Sequence, residues 1–269
     1  MMYRSGMPRR RGNLGIGLLV ALVAIISYCS SQEFNEVTGR KQYLAMTTDQ
    51  EIALGLETAP VMAKQFGGLS PDKKAQARVD GIGNRLVRMN ESDMHEWKFQ
   101  FHLLADTKTI NAFALPGGQI FITRGLYDQL ESDGQLAGVL AHEIGHVVGR
   151  HSAAQLAKQH LTQGITGAVV VASGDAGNAQ LAAMAGQLMN LRYGRDDELE
   201  SDALAVRFMG TTGYDPRAML GVLGVLARSG GSSGPEFFST HPNPDNRIAR
   251  LQAAIAQAYP NGIPESLEK

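Results

Sequence analysis

His142-Glu143-Ile144-Gly145-His146 sets two histidines four residues apart, with a carboxylate directly after the first. On a helix, side chains at i and i+4 leave one face, a turn apart. Two neutral imidazoles so placed can hold one zinc ion, and the adjacent glutamate can act as general base on a water at that metal. A peptide-cleaving zinc site also needs a third protein ligand and an open position. A third histidine six residues after the second would complete one known solution, but Ser152 stands there and the histidine falls one residue early, at His151. A slip of one residue turns a side chain by about 100° around a continuous helix. His151 is therefore expected on the surface or behind a ligand, outside the metal set. The acidic run Asp196-Asp197-Glu198-Leu199-Glu200-Ser201-Asp202 offers a better ligand. Glu198 and Asp202 share a helix face, so Glu198 can bind the metal while Asp202 accepts a hydrogen bond from a ligand histidine. The only cysteine, Cys29, lies near the N-terminus, so neither an intramolecular disulfide nor a cysteine-closed structural zinc site is expected. Arg195, Tyr193, His151 and Arg247 are all candidates to steady the oxyanion that forms when water attacks a carbonyl.

The elements that must carry these residues follow from periodicity. Ser132-Asp133-Gly134-Gln135 has the spacing of a capping box, and the pattern after it predicts one helix through the histidine pair to about Lys158. Gly134, Gly138, Gly145 and Gly149 interrupt it, each at about 1 kcal/mol against alanine, which suits a helix on which another element packs closely. A second helix, Asp196 to Met209, carries the acidic run. Upstream, Thr48-Asp49-Gln50-Glu51 opens a helix towards Phe66, and Ser70-Pro71-Asp72-Lys73 opens another with Pro71 as its first residue. Trp97 to Leu103 alternates as a half-buried strand. Thr109–Leu115 and Gln119–Thr123 flank the turn Pro116-Gly117-Gly118 as a hairpin. Residues 161–190 are rich in Gly and Ala and predict two short helices around Ser173-Gly174-Asp175-Ala176-Gly177-Asn178, either packed in the core or serving as a lid or membrane-touching surface. A helix to Arg228, a loop over Ser229–Pro235 and a helix from Asn246 to Ala258 follow. The fold class is α+β, mostly helical, with a small and largely antiparallel sheet.

With 269 residues and 43% apolar content, the chain can bury one good-sized core. A net charge of −1 and the lack of an interior Lys/Arg stripe give no electrostatic argument for nucleic acid, and no nucleic-acid partner is expected. Arg4, Arg9, Arg10 and Arg11 meet no acid before Cys29, and the apolar stretch Leu14–Tyr28 follows them. That is a secretory signal or signal anchor, and the positive-inside rule sends everything after it across the membrane. Cys29 itself resembles the cysteine of a bacterial lipoprotein cleavage box, so a lipid anchor and an uncleaved helix are both open. The expected organisation is a basic cytoplasmic region over 1–12, a signal peptide or anchor over 13–29, a linker or extended strand over 30–46, a catalytic domain over 47–258 and a tail over 259–269.

Glu198-Leu199-Glu200-Ser201-Asp202 downstream of the histidine pair resembles the membrane-associated zinc metallopeptidase family of HtpX, the CAAX prenyl protease and the mitochondrial Oma-type protease. Asn111-Ala112-Phe113-Ala114-Leu115-Pro116-Gly117-Gly118, Ser239-Thr240-His241-Pro242 and Arg247 add to the likeness, which covers roughly residues 47–258. The N-terminal anchor and Asn35-Glu36-Val37-Thr38-Gly39 bring it closest to the bacterial periplasmic LoiP and BepA branch. The resemblance implies a zincin-like, gluzincin-type domain with one Zn²⁺ per chain, bound by His142, His146 and Glu198, with Glu143 as catalytic base. It implies that His241 can approach the zinc as an extra ligand and hold the enzyme latent. It also implies that Asn111-Ala112-Phe113-Ala114-Leu115 is the edge strand that receives an extended substrate. The substrates would be protein or peptide, extracytoplasmic and misfolded or of the envelope. The rival is a membrane-tethered chaperone-like or binding module whose zinc site is latent or structural. The sequence leaves oligomeric state open.

Overall fold

Side-chain alternation along three short strands fixes where the layers lie. In the computed structural model, which describes residues 10–173, 193–229, 236–241 and 246–269, β3 (Gln100–Leu104), β4 (Ala112–Leu115) and β5 (Gln119–Thr123) form one sheet in the order β3-β5-β4. β4 runs antiparallel to β5, as the hairpin reading requires, whereas β3 is parallel to it. Phe101, Leu103, Ala112, Ala114, Ile120 and Ile122 face the main core. Leu104, Phe113, Leu115 and Phe121 point the other way, into a smaller core with Met62. The period of two thus buries both faces.

Helices cover the two faces. α1 (Arg10–Ser30), α2 (Thr48–Gln65), α3 (Lys73–Met89) and the short α4 (Glu91–Met94) precede the sheet. After it come α5 (Arg124–Tyr127), α6 (Asp133–Val148), α7 (His151–Ser173), α8 (Arg195–Thr212), α9 (Ala218–Ser229), α10 (Phe237–Thr240) and α11 (Arg247–Ala258). α2 covers the small core, while α3, α6, α8 and α9 build the large one. Gly117 and Gly118, at φ +81 and +114, make the β4–β5 turn, and α2 lies so close that a Cβ on Gly117 would sit 2.3 Å from the Ile52 Cα. Among the described residues no helix is long and apolar enough to cross a membrane.

Several boundaries differ from expectation for local reasons. Thr47, not Thr48, caps α2 in a full capping box with Gln50. Asp72 rather than Pro71 opens α3, its carboxylate accepting from the Lys74 and Ala75 amides. β4 begins late because the Asp106 carboxylate takes the amides of Lys108 and Thr109 into a turn. The predicted helix to Lys158 is two helices. α6 stops at Val148, Arg150 adopts φ +54, and α7 then runs unbroken through residues 161–173. The predicted turn at 174–178 and the loop at 230–235 lie outside the described residues. Residues 30–46 contain an antiparallel hairpin of β1 (Gln32–Asn35) and β2 (Arg40–Tyr43), turning at Gly39 with φ +68. That hairpin docks on the end of α6: Asn35 Nδ2 donates to the Val148 carbonyl and Gln42 Nε2 to that of Gly149.

Candidate metal centre

α6 and α8 cross at two small residues, and that crossing brings the histidines to the acids. A Cβ on Gly145 would fall 2.5 Å from Ser201 Oγ, so only glycine permits this approach. The Ser201 hydroxyl donates to the carbonyl of His142 and locks the crossing. Gly138 and Gly134 similarly accommodate Met219 and the C-terminal Lys269. The helix-propensity cost of these glycines therefore coincides with close contacts, as their size suggested.

Ligating atoms of His142, His146, Glu198 and His241 lie within 4.8 Å of one another, and all four residues are buried. His142 Nε2 and His146 Nε2 are 3.1 Å apart. Each stands 3.4 Å from a different oxygen of Glu198. A tetrahedral zinc with bonds of about 2.0–2.1 Å separates its ligand atoms by about 3.3–3.4 Å. Glu198 Oε2 and His241 Nε2 are buried without a hydrogen-bond partner in the protein, a state that ordinarily costs stability. The donor set, its spacing and these orphaned atoms fit a bound metal ion.

Around the four, each ring is held from behind. His142 Nδ1 lies 2.9 Å from Asp202 Oδ1. Asp202 in turn receives Arg247 Nε and Nη2, both at 2.8 Å, in a bidentate pair. His146 Nδ1 meets His151 Nδ1 at 2.8 Å, and the His146 face stacks on Tyr193 with centroids 3.9 Å apart. His241 Nδ1 sits 3.0 Å from Glu198 Oε1, with Phe237 stacked on its ring. Glu143 is fully buried and neither of its oxygens has a hydrogen-bond partner.

Electrostatics separates these groups. Burial raises the Glu143 carboxyl above its ordinary range, only partly offset by His241 and His142. Burial lowers His142, but the hydrogen bonds to Asp202 and Glu198 outweigh it and lift the metal-free ring to about 9. For His146, burial wins and the ring falls well below its ordinary value. Burial would raise Glu198 and Asp202, yet His241 beside the first and Arg247 beside the second hold both low.

The structure thus gathers His142, Glu143, His146, Glu198, Asp202 and His241 at one place. Of the two places open to His151, the surface or behind a ligand, it takes the second, outside the metal group. The helix-wheel argument assumed a continuous helix, but the break at Arg150 folds His151 inward, fully buried against His146. Of the oxyanion candidates, His151 is engaged behind His146 and the Tyr193 hydroxyl pairs with Ser152 at 3.1 Å. Arg195 is the first residue of α8. Arg247 keeps Nη1 without a hydrogen-bond partner, 3.2 Å from Glu198 Oε2. The pairing of Arg247 with Asp202 has no local sequence signal, since the two are far apart in the chain. The spacing of His151 behind His146 was visible, and only the helix break gave it meaning.

Residues 73–255 match the model of Peptidase family M48. The chain is 31% identical over 234 residues to the beta-barrel assembly-enhancing protease of Yersinia pestis, covering 80% of this chain and 46% of that protein. It is 30% identical over 237 residues to the protein of the same name in Escherichia coli K12, covering 82% and 47%. Against mitochondrial metalloendopeptidase OMA1 of Schizosaccharomyces pombe it is 26% identical over 272 residues, covering 96% and 77%. The chain thus spans about half the length of the two bacterial relatives.

Proposed function

Because this chain belongs to peptidase family M48, we propose that it is a zinc-dependent metalloendopeptidase, tethered to the membrane and cleaving extracytoplasmic proteins. The observation that carries the reading is the buried His142, His146 and Glu198 triad beside an unpaired Glu143. When bound there, zinc supplies Lewis acidity, lowering the pKa of water and polarising the scissile carbonyl. His142, His146 and Glu198 hold the metal, with Asp202 fixing the His142 ring. Glu143 takes a proton from the attacking water as its oxygen bonds the carbonyl carbon. The same carboxyl then gives that proton to the amide nitrogen as the C–N bond breaks. A carboxyl raised by burial suits both halves of this transfer. Arg247 Nη1, 3.2 Å from Glu198 Oε2 and without a hydrogen-bond partner among the described residues, is the candidate donor for the negative oxygen.

The substrate strand pairs with the outer edge of β4, the edge without a strand partner among the described residues. β4 is terminal in the sheet, and beside it a cavity of about 80 Å³ is lined by Asn111, Phe113 and Leu115 on one side and Tyr193 and Thr240 on another. The buried Asn111 Oδ1 has no partner in the protein, which suits an acceptor for a peptide N–H. Tethering is supported by α1, where Leu14, Leu18, Leu22 and Ile26 are more than half exposed. The N-terminal arginines and the family resemblance support the periplasmic side and envelope substrates. A structural or latent zinc site is the second reading, favoured by the inclusion of His241 among the four buried ligands. The Glu143→Gln variant separates a working centre from an inert one. Zinc content should stay at one per chain while casein cleavage falls by about 10²–10⁴-fold. A zinc-loaded variant that still cleaves casein would overturn the assignment.

A further inference from the structure

Two metal-facing histidines are supported by different devices. His142 leans directly on a carboxylate, whereas His146 leans on another histidine. Behind His146, His151 Nε2 meets Glu200 Oε2 at 3.0 Å, and Glu200 Oε1 accepts from Arg40 Nη1 at 3.0 Å. The relay thus leads from a buried ring to the surface of the β1–β2 hairpin. We propose that His151 and Glu200 are positioning residues for His146, holding its ring in the tautomer and orientation that present Nε2 to the metal. This rests on the metal reading above.

One arrangement of protons satisfies every atom. If His146 binds through Nε2, its Nδ1 must carry the hydrogen and donate it. His151 Nδ1 must then accept, which leaves the hydrogen on His151 Nε2, where it faces the Glu200 carboxylate. Reversing any member leaves two donors or two acceptors opposed. Both rings are almost fully buried, so no bulk water can replace a missing partner.

The backbone is built to place this ring. Arg150 ends α6 in a left-handed conformation that a non-glycine residue avoids without compensation. Its guanidinium is tied by Glu51 Oε1 at 2.7 Å, Glu33 Oε2 at 2.8 Å and the Met46 carbonyl at 2.7 Å. The chain reversal brings His151 back against α6, where the absent side chain of Gly149 makes room. A Cβ there would fall 2.5 Å from His151 Nε2. Tyr193 closes the face of the His146 ring, so the ring is fixed by stacking and by the relay together.

The test uses the full chain in detergent and measures zinc affinity by competition with a chelator of known strength. His151→Leu should bind zinc about 10–100-fold more weakly than wild type. His151→Asn, which restores an acceptor near the Nδ1 position, should recover most of that loss. Unchanged zinc affinity in a folded His151→Leu overturns the relay. Should that variant fail to fold, Glu200→Leu carries the test on the same terms, with a smaller loss expected and unchanged affinity overturning it. ¹⁵N-histidine NMR of the zinc-loaded wild type should show His151 protonated on Nε2, and protonation on Nδ1 alone would sink the proposal. Wild type that takes up no zinc overturns the metal reading itself, an outcome distinct from a relay that fails in a zinc-binding chain.

Discussion

The metal-free centre keeps His142 charged, and this has a measurable consequence. Burial disfavours the imidazolium, yet Asp202 at 2.9 Å and Glu198 beside it raise the ring from 6.5 to about 9. Because the folded value is the higher one, the folded chain holds a proton that the unfolded chain releases. The stabilisation is complete below about pH 6.5 and is lost as the pH rises through about 9. Zinc requires the neutral ring, so the loaded chain has no such proton to lose. Thermal melts of the metal-free protein should fall between these limits, while zinc-loaded melts show no such fall from this group. Asp202→Asn should flatten the metal-free profile and weaken zinc by about 10–100-fold. A flat wild-type profile in chelator would contradict the role given to Asp202. His142, Glu143 and His146 were legible because a metal dictates their spacing. Glu198 and Asp202 followed from their shared helix face. Arg247 and His151 were harder to place, since one acts across the fold and the other through a backbone reversal.

At the scale of elements, the site depends on how closely α8 crosses α6. The glycine spacing in α6 foretold a close neighbour but not its identity, which proves to be Ser201 on the ligand-bearing helix. Gly145→Ala would put a methyl group 2.5 Å from Ser201 Oγ and 3.1 Å from its Cα. Backbone on the far side leaves little freedom to yield, so the variant should lose about 1–3 kcal/mol of stability. Glu198 rides on the displaced helix, so zinc affinity should fall as well. Urea unfolding with chelator competition measures both, and a variant with wild-type affinity would show that the crossing does not set ligand spacing. The sequence made α3, β5 and α11 readable to within a few residues because their periodicity and caps are local. The end of α6 was not readable. No proline marks it, and Arg150 takes its left-handed conformation with tertiary bonds to Glu33, Glu51 and Met46. The parallel pairing of β3 was equally silent, because strand order is set by the layers on both faces.

The molecule as a whole encloses its reacting groups. His142 is 4% exposed, His146 1%, and Glu143, Glu198 and His241 are fully buried. Among the described residues α10 and His241 pack against His142 and His146, and we propose that a peptide reaching Glu143 displaces them. Phe237 anchors that short element in the main core, and hydrogen bonds among the described residues tie it down. The Phe237 amide donates to the Ile110 carbonyl, the Tyr193 amide to the Thr240 carbonyl, and His241 Nδ1 pairs with Glu198. The first two touch Ile110, two residues before β4, and Tyr193, stacked on His146, so opening α10 would loosen both the approach to the edge strand and the metal centre. His241→Ala removes the innermost of these contacts while leaving His142, His146 and Glu198 in place. If His241 holds a working enzyme shut, the variant should keep its zinc and cleave a fluorogenic peptide severalfold faster than wild type. The gain should appear in kcat/KM, because a larger fraction of the chain is then competent to bind substrate. If His241 is instead a permanent fourth ligand of a structural site, zinc affinity should collapse, melting should shift downwards, and no cleavage should emerge. Zinc stoichiometry, melting temperature and peptide turnover on the same preparation separate these outcomes, and a zinc-retaining variant with no rise in turnover would remove His241 as the latch.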